Sequence, residues 1–203
     1  MRSLLTQSAA GLRLLLVFTV ITGVLYPLGV WAVSRLPGLR GNAEGSVVVV
    51  DGRAVGSELI GVDPVASGPD PWFHTRPSAG SADPLGPGDP STSGGSNKAT
   101  GDSGLVTLVQ ARRDLVAQRE GVPVDQVPPD AVTASGSGLD PDISPAYAAI
   151  QVPRVARVNG LAEDRVRALV ADTTEGRALG FVGEPRVNVL RLNLGVEALK
   201  GAG

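Results

Sequence analysis

The sequence predicts an α+β protein, with one N-terminal transmembrane helix followed by a single small mixed α/β soluble domain that carries a long Pro/Gly-rich loop. Three observations support this. From Leu14 to Ser34 run 21 residues without a charged side chain or histidine, which at roughly 1.5 Å per helical residue reach about 30 Å, the thickness of a bilayer's hydrocarbon core. Beyond that stretch, helical apolar periodicity and a hairpin signature occur in one chain. Between them, 22 of the 42 residues from Asp63 to Gly104 are Pro, Gly or Ser, too many for continuous helix or strand.

Taken in order, residues 1–13 are a short N-terminal segment, 14–36 the transmembrane helix and 37–203 an extracytoplasmic soluble domain with its loop region at 63–104. A secretory signal competes with the anchor. Its apolar region normally runs only about 7–15 residues, however, and Ala32-Val33-Ser34 is a weak cleavage match. Pro27 predicts a kink that leaves a carbonyl in need of a partner, so Gly23, Tyr26 and Pro27 are the candidates for packing against another membrane helix. Arg2 and Arg13 on one side face Arg35 and Arg40 on the other, a slight lean toward a cytoplasmic amino terminus. The sequence alone leaves the topology open.

In the soluble part, Val47–Val50, Asp51-Gly52 and the run ending at Leu59-Ile60 read as a β-hairpin, because Asp-Gly supplies the two left-handed residues of a type I′ turn. The loop region that follows is either partly disordered or held by a partner and used for function. Residues 104–120 form an amphipathic helix with Leu105, Leu108, Val109, Leu115 and Val116 on its apolar face, Asp102 or Ser103 as cap, and Gly121 and Pro123 ending it. Ser144-Pro145 opens another helix, which Pro153 should kink or break near Val152. Helix is expected again from Ala162 to Ala171. Val187, Val189, Leu190, Leu192 and Leu194 read as a mostly buried strand leading into a short helix at Val196–Lys200.

Composition narrows the chemistry. Without cysteine there are no disulfides, thiolate zinc sites, iron–sulfur clusters or Cys nucleophiles, and a single histidine, His74, makes no multi-His metal site. Residues 41–203 carry 14 basic and 20 acidic side chains, a balance of −6, which is poor for binding nucleic acid. Aromatics are only 3% of the chain, so the core must be aliphatic.

The densest polar-aromatic cluster is Trp72-Phe73-His74-Thr75-Arg76-Pro77-Ser78-Ala79. It reads as a docking or functional element, or as a loop anchored by Trp72 and Phe73 whose His74 and Arg76 bond backbone carbonyls. Gly94-Gly95-Ser96-Asn97 lacks the ending of a phosphate-binding loop and reads better as a tight turn than as an anion nest. The stretch from Thr133 to Pro145, with Ser135, Ser137, Asp140 and Asp142, has the residue types for a cation or a phosphate but not the spacing of a calcium loop. A hydrolase using Ser96 or Ser137 would have only His74 as base, and no G-x-S-x-G elbow surrounds a serine. An anchored extracellular small-ligand binding module is the main alternative to a partner protein.

Several of these blocks in this order resemble the C subunit family of the Kdp potassium-transporting ATPase over nearly the whole chain. They are Thr22–Leu28, Gly56–Gly61, Phe73–Ala79, Ser93–Asn97, Val132–Asp140, Ile150–Ala156 and Val187–Leu190 through Asn193-Leu194. Gly195 departs from the Ala common after that Asn-Leu pair, and the middle of the long loop, 83–90, is unusually rich in Pro and Gly. The resemblance implies an accessory subunit with no catalytic residue or metal of its own. Its partners would be a channel-like potassium-binding subunit, a P-type ATP-hydrolysing subunit and a very small single-span subunit, all in membrane lipid, with no nucleic acid. It further implies a chaperone that raises the hydrolysing subunit's affinity for ATP. ATP is then the one cofactor to consider, with Ser135–Gly138 and Arg154 the first residues to test, while potassium is handled by the partners. The chain lacks the phosphorylation motif Asp-Lys-Thr-Gly. Candidate partner or ligand contacts on these blocks are Phe73, His74, Arg76, Ser78, Ser96, Asn97, Ser135, Ser137, Asp140, Gln151 and Arg154. The expected location is the cell membrane, single-pass, with the amino terminus cytoplasmic and the soluble domain outside.

Overall fold

A proline inside a helix removes one N–H and sets its ring against the carbonyl four residues back, and the N-terminal helix meets this demand just ahead of Pro27. In the computed structural model, which describes residues 2–201, α1 (Arg2–Val20) passes into a π-helical turn at Ile21–Leu25 and then into α2 (Tyr26–Ser34), with Pro27 in the first turn of α2. The Tyr26 N–H bonds the Ile21 carbonyl, and this wider turn absorbs the proline. Helix therefore already runs through residues 2–13, and the 32 residues Ser3–Ser34 are long and apolar enough to cross a membrane. A short α3 (Arg40–Ala43) follows. Glu44 pairs with both Arg35 (2.7 Å) and Arg40 (3.0 Å).

The chain divides into two units at Val47/Val48, and the second builds the mixed domain. Strands β1 (Val47–Val50) and β2 (Arg53–Ser57) pair as expected, with Asp51 (φ 49°) and Gly52 (φ 75°) both left-handed at the turn. No helix or longer strand occurs from there to Asp102. Yet Phe73 is wholly inaccessible and His74, Thr75 and Ser78 are buried, so this part of the loop is held by the domain's own core rather than awaiting a partner to order it. Helix α4 (Ser103–Glu120) is capped by the Asp102 carboxylate, which accepts from the Leu105 N–H at 2.8 Å, and ends at Gly121 with φ 69°. Its buried row corrects the expected apolar face: Leu115 is 40% exposed, while Arg112 and Glu120 lie buried with Val116. The row 109–112–116–120 keeps the helical spacing that Leu115 departs from.

Strand β3 (Asp142–Ile143) leads into α5 (Pro145–Asn159), whose cap Ser144 accepts from the Tyr147 N–H at 3.0 Å. The expected break at Pro153 does not occur, and α5 continues through it. Gln151 and Val152 before the proline and Arg154 and Val155 after it are all buried, so both halves are fixed by their own packing. Helix α6 (Glu163–Thr173), strand β4 (Thr174–Glu175) and strand β5 (Arg186–Asn188) follow. The small antiparallel sheet has the order β3-β5-β4, with Ile143 opposite Val187 and Glu175 opposite Arg186. Here the expected strand through Leu194 is corrected. It ends at Asn188, and Val189–Gly201 is helix α7. The Asn188 side chain accepts from the Arg191 N–H at 3.1 Å, and Val189, Leu192 and Val196 then share one buried face. Val155, Val166, Val187, Leu192 and Val196 centre the core between α5, α6, α7 and the sheet.

Candidate functional site

Irregular backbone can be buried only if its peptide groups find partners, and the segment from Asp70 to Ser78, called the strap below, finds them in side chains. Two amides grip consecutive residues. Asn193 of α7 accepts from the Phe73 N–H (2.8 Å) and donates to the Phe73 carbonyl (2.9 Å). Gln151 of α5 accepts from the His74 N–H (2.8 Å) and donates to the His74 carbonyl (3.4 Å). Each amide therefore does for one residue what a neighbouring β-strand would do.

A third amide, Asn159, donates to the Pro71 carbonyl at 2.8 Å, and arginines take three more of the strap's carbonyls. Arg154, 4% exposed, donates to the carbonyls of Asp70 and Trp72, both at 2.9 Å, and forms a two-pronged pair with Glu120 at 2.8 and 3.2 Å. Arg112, 2% exposed, donates to the carbonyls of Ser78 (3.0 Å), Pro84 (2.8 Å) and Val132 (3.4 Å), joining two points of the loop region to the turn that ends at Val132. The planar five-donor guanidinium suits this role.

His74 sits between two carboxylates, Nδ1 at 2.9 Å from Asp63 and Nε2 at 2.5 Å from Asp70. Burial alone would lower its pKa, but the bonds from Asp63 and Asp70 outweigh burial and hold the imidazole above its ordinary value. Burial likewise works to raise Asp70, and His74 with Arg154 overcomes it, bringing the carboxyl to about 2. Asp63 also accepts from the Thr75 N–H at 2.7 Å. The chain continues through Arg119, which donates to Glu120 (2.6 Å) and to the Tyr147 hydroxyl (2.9 Å). Burial drives Tyr147 up to about 12. With His74 charged, three carboxylates meet three cations in a line that is close to neutral.

The structure thus brings Phe73, His74, Gln151 and Arg154 into one centre. The reading in which His74 bonds backbone carbonyls is corrected, since its ring bonds carboxylates. Arg76 does reach the carbonyls of Thr133 (3.3 Å) and Ala134 (3.4 Å) and pairs with Asp140 at 3.1 Å, forming a second, shallower cluster. The Ser78 hydroxyl accepts from the Gly80 N–H. Gly94-Gly95-Ser96-Asn97 is not a tight turn. It lies beside 135–138 with no turn assigned to it, the Gly94 N–H on the Ser137 carbonyl at 2.8 Å and Asn97 left-handed at φ 52°, and Ser96 and Asn97 are exposed. Ser135 accepts from the Gly138 N–H (2.8 Å) and Ser137 from the Leu139 N–H (3.1 Å). These glycine-rich N–H groups are therefore bonded internally, with none of the three aimed outward at a phosphate. Asp140 accepts from the Asp142 N–H.

Chemically the site holds rather than reacts. The one imidazole has both nitrogens engaged by carboxylates, so His74 does not serve Ser96 or Ser137 as a base. Asp63, Asp70, Arg112, Arg119, Glu120 and Asn193 were not among the residues the sequence singled out as contacts. A signal for two of them existed in α4, where Arg112 and Glu120 stand in step with Val116 on the buried face. A separate apolar pocket of about 340 Å³ lies between β2 and the start of α7, with Val55, Ile60, Val62, Trp72 and Leu190 in its wall.

Comparison with known proteins agrees with the ordered blocks. The sequence model of the family described as K+-transporting ATPase, c chain (KdpC), matches residues 8–198. A Kineococcus radiotolerans protein named potassium-transporting ATPase KdpC subunit is 51% identical over 197 residues, covering 97% of this chain and 95% of that protein. Proteins of the same name from Streptomyces coelicolor (46% over 228 residues, 100% and 99% covered) and Methylorubrum extorquens (46% over 199 residues, 94% and 96% covered) are similar as well.

Proposed function

This chain belongs to the KdpC family of K+-transporting ATPase c chains, and from that premise we propose that it assembles and stabilises the pump's channel-like potassium-binding subunit and its ATP-hydrolysing subunit. It is a subunit of a potassium-transporting ATPase and not an enzyme by itself. The observation that carries the reading is the strap. Its polar groups, His74, Gln151 and Arg154 included, are spent on holding backbone and one another, which is how a rigid partner-facing body is made and not how a reactive centre is made. The exposed Ser96 and Asn97 and the half-buried Arg76 and Asp140 are proposed as partner contacts, with Phe73, His74, Gln151 and Arg154 shaping the surface from beneath and Ser78, Ser135 and Ser137 fixing its loops.

The helix Ser3–Ser34 is proposed to cross the cell membrane once, amino terminus inside and the soluble domain outside, packed through Gly23, Tyr26 and Pro27 against a neighbouring helix, with the very small single-span subunit among the candidates. Any rise in the hydrolysing subunit's ATP affinity would then be transmitted between proteins, since Gly94, Gly138 and Leu139 spend their N–H groups internally. A second reading rests on the 340 Å³ pocket, in which the domain is a small-ligand binding module. The test is to solubilise membranes of potassium-starved cells in mild detergent and purify the chain through a C-terminal tag. Stoichiometric recovery of both larger subunits is expected. Recovery of the chain alone, where those subunits are present and intact, would overturn the proposal and favour the binding module.

A further inference from the structure

Between β4 and β5 the chain makes a small finger, residues 176–185, whose tip shows water what a core would hide. Leu179 is 86% exposed, Phe181 73% and Val182 49%, in a chain with only three phenylalanines. Scattered exposed apolar residues are ordinary, but three within four positions at the end of one projection make a contiguous patch. The finger is also built to hold that shape. Ala178 and Val182 exchange both backbone hydrogen bonds at 2.9 Å, the Gly180 N–H bonds the Arg177 carbonyl at 3.0 Å, and Arg177 pairs with Glu184 at 2.6 Å across the base. Leu179 itself takes a left-handed φ of 54°, a conformation that bulky residues avoid and that costs stability.

We propose that Leu179 and Phe181 are the anchor by which this domain docks into an apolar cleft of a multi-span subunit of the same pump. The proposal rests on the accessory role argued above. Two features favour a protein over a lipid surface. The finger's cation, Arg177, is already paired with Glu184, leaving no basic surplus for anionic headgroups. Alongside, Arg186, Glu175, Arg191 and Glu58 form a continuous line of surface ion pairs at 2.7 to 3.0 Å, a polar rim beside an apolar anchor as protein interfaces have. A rigid tip also loses little freedom on docking.

The test uses the full tagged chain expressed with the rest of its pump. Leu179→Ser with Phe181→Ser is expected to cut recovery of the larger subunits at least tenfold, with the unfolding midpoint of the chain unchanged. Recovery equal to that of the unsubstituted chain overturns the anchor. If the unsubstituted chain recovers no partner at all, the accessory role itself fails, which is a different result. A second measurement separates protein from membrane. Phe181→Trp, in a Trp31→Phe background, is placed in nanodiscs of brominated phosphatidylethanolamine and phosphatidylglycerol and compared with the same background without it. Shielding of the new indole from acrylamide only when the larger subunits are present supports docking into a subunit, whereas quenching by brominated lipid with the chain alone overturns it in favour of a membrane contact.

Discussion

The strap and the finger are both short irregular segments, yet they invert each other's chemistry. Near the strap, Arg112, Glu120, Gln151 and Arg154 are buried, while at the finger Leu179 and Phe181 stand in solvent. In the strap every buried charge has a partner that is itself needed, so charge is used to fix backbone that has no ladder of its own. In the finger the backbone satisfies itself by Ala178 and Val182, and the side chains are left for something outside the domain. Stability and recognition are therefore carried by different loops, and substitutions in the two should read out differently.

The largest effect is expected from breaking the centre of the strap. Arg154→Met leaves the buried Glu120 carboxylate with Arg119 alone and strips two buried carbonyls of their donor, which should cost about 3–5 kcal/mol. Urea unfolding of the full chain in detergent, followed by Trp72 fluorescence in a Trp31→Phe background, measures it. Adding Glu120→Leu should not recover the loss, because Arg119 would then lose its own carboxylate partner. No loss on Arg154→Met would break the contrast between the loops.

Gly61→Ala comes next. The Gly61 N–H bonds the Leu139 carbonyl at 2.8 Å, and a Cβ there would collide with the backbone carbonyl of Asp140. Because that neighbour is main chain, relief requires moving the approach between residues 61 and 140, at roughly 1–3 kcal/mol. The same unfolding assay reports it.

How much of this was legible in the sequence follows from the range of the forces involved. Local signals were sound. Asp51-Gly52 turned a hairpin, Asp102 and Ser144 capped helices, and Gly121 ended one, each decided within a few residues. The apolar run after Val187 was misread because a short run of Val and Leu fits strand and helix alike, and the Asn188 cap decided for helix. Pro153 misled because its local cost is overruled by burial on both sides. The site was only half legible. Phe73, His74, Gln151 and Arg154 lay in the singled-out blocks, but their pairing joins residues 77 to 120 positions apart, which no local pattern encodes. The finger has no signature in the sequence, because its meaning lies in exposure.

A smaller effect is expected from pH. His74 has a folded pKa above the 6.5 of an ordinary histidine, so its contribution is complete below 6.5 and is lost as pH rises through the folded value. Asp70 runs the other way, its contribution present above 3.8 and lost as pH falls through about 2. Stability should therefore be flat between these limits and fall on both sides. His74→Gln should abolish the alkaline fall, and since each pKa unit corresponds to about 1.4 kcal/mol, the drop in unfolding free energy between pH 6 and pH 9 reads the shift itself. A fall that persists in His74→Gln would assign it to another group.

The smallest effect on stability is expected at the finger, and its smallness is the point. Leu179 and Phe181 gain little apolar burial on folding, because most of their surface is still in water afterwards. Replacing either with Ser should change the unfolding free energy by no more than about 0.5 kcal/mol, as for surface sites generally. Leu179→Gly should be neutral or stabilising, since glycine takes the φ of 54° without a Cβ penalty. A loss of 2 kcal/mol or more in Phe181→Ser would mean that the finger is part of the fold after all, and the division between a loop that holds and a loop that reaches outward would not stand.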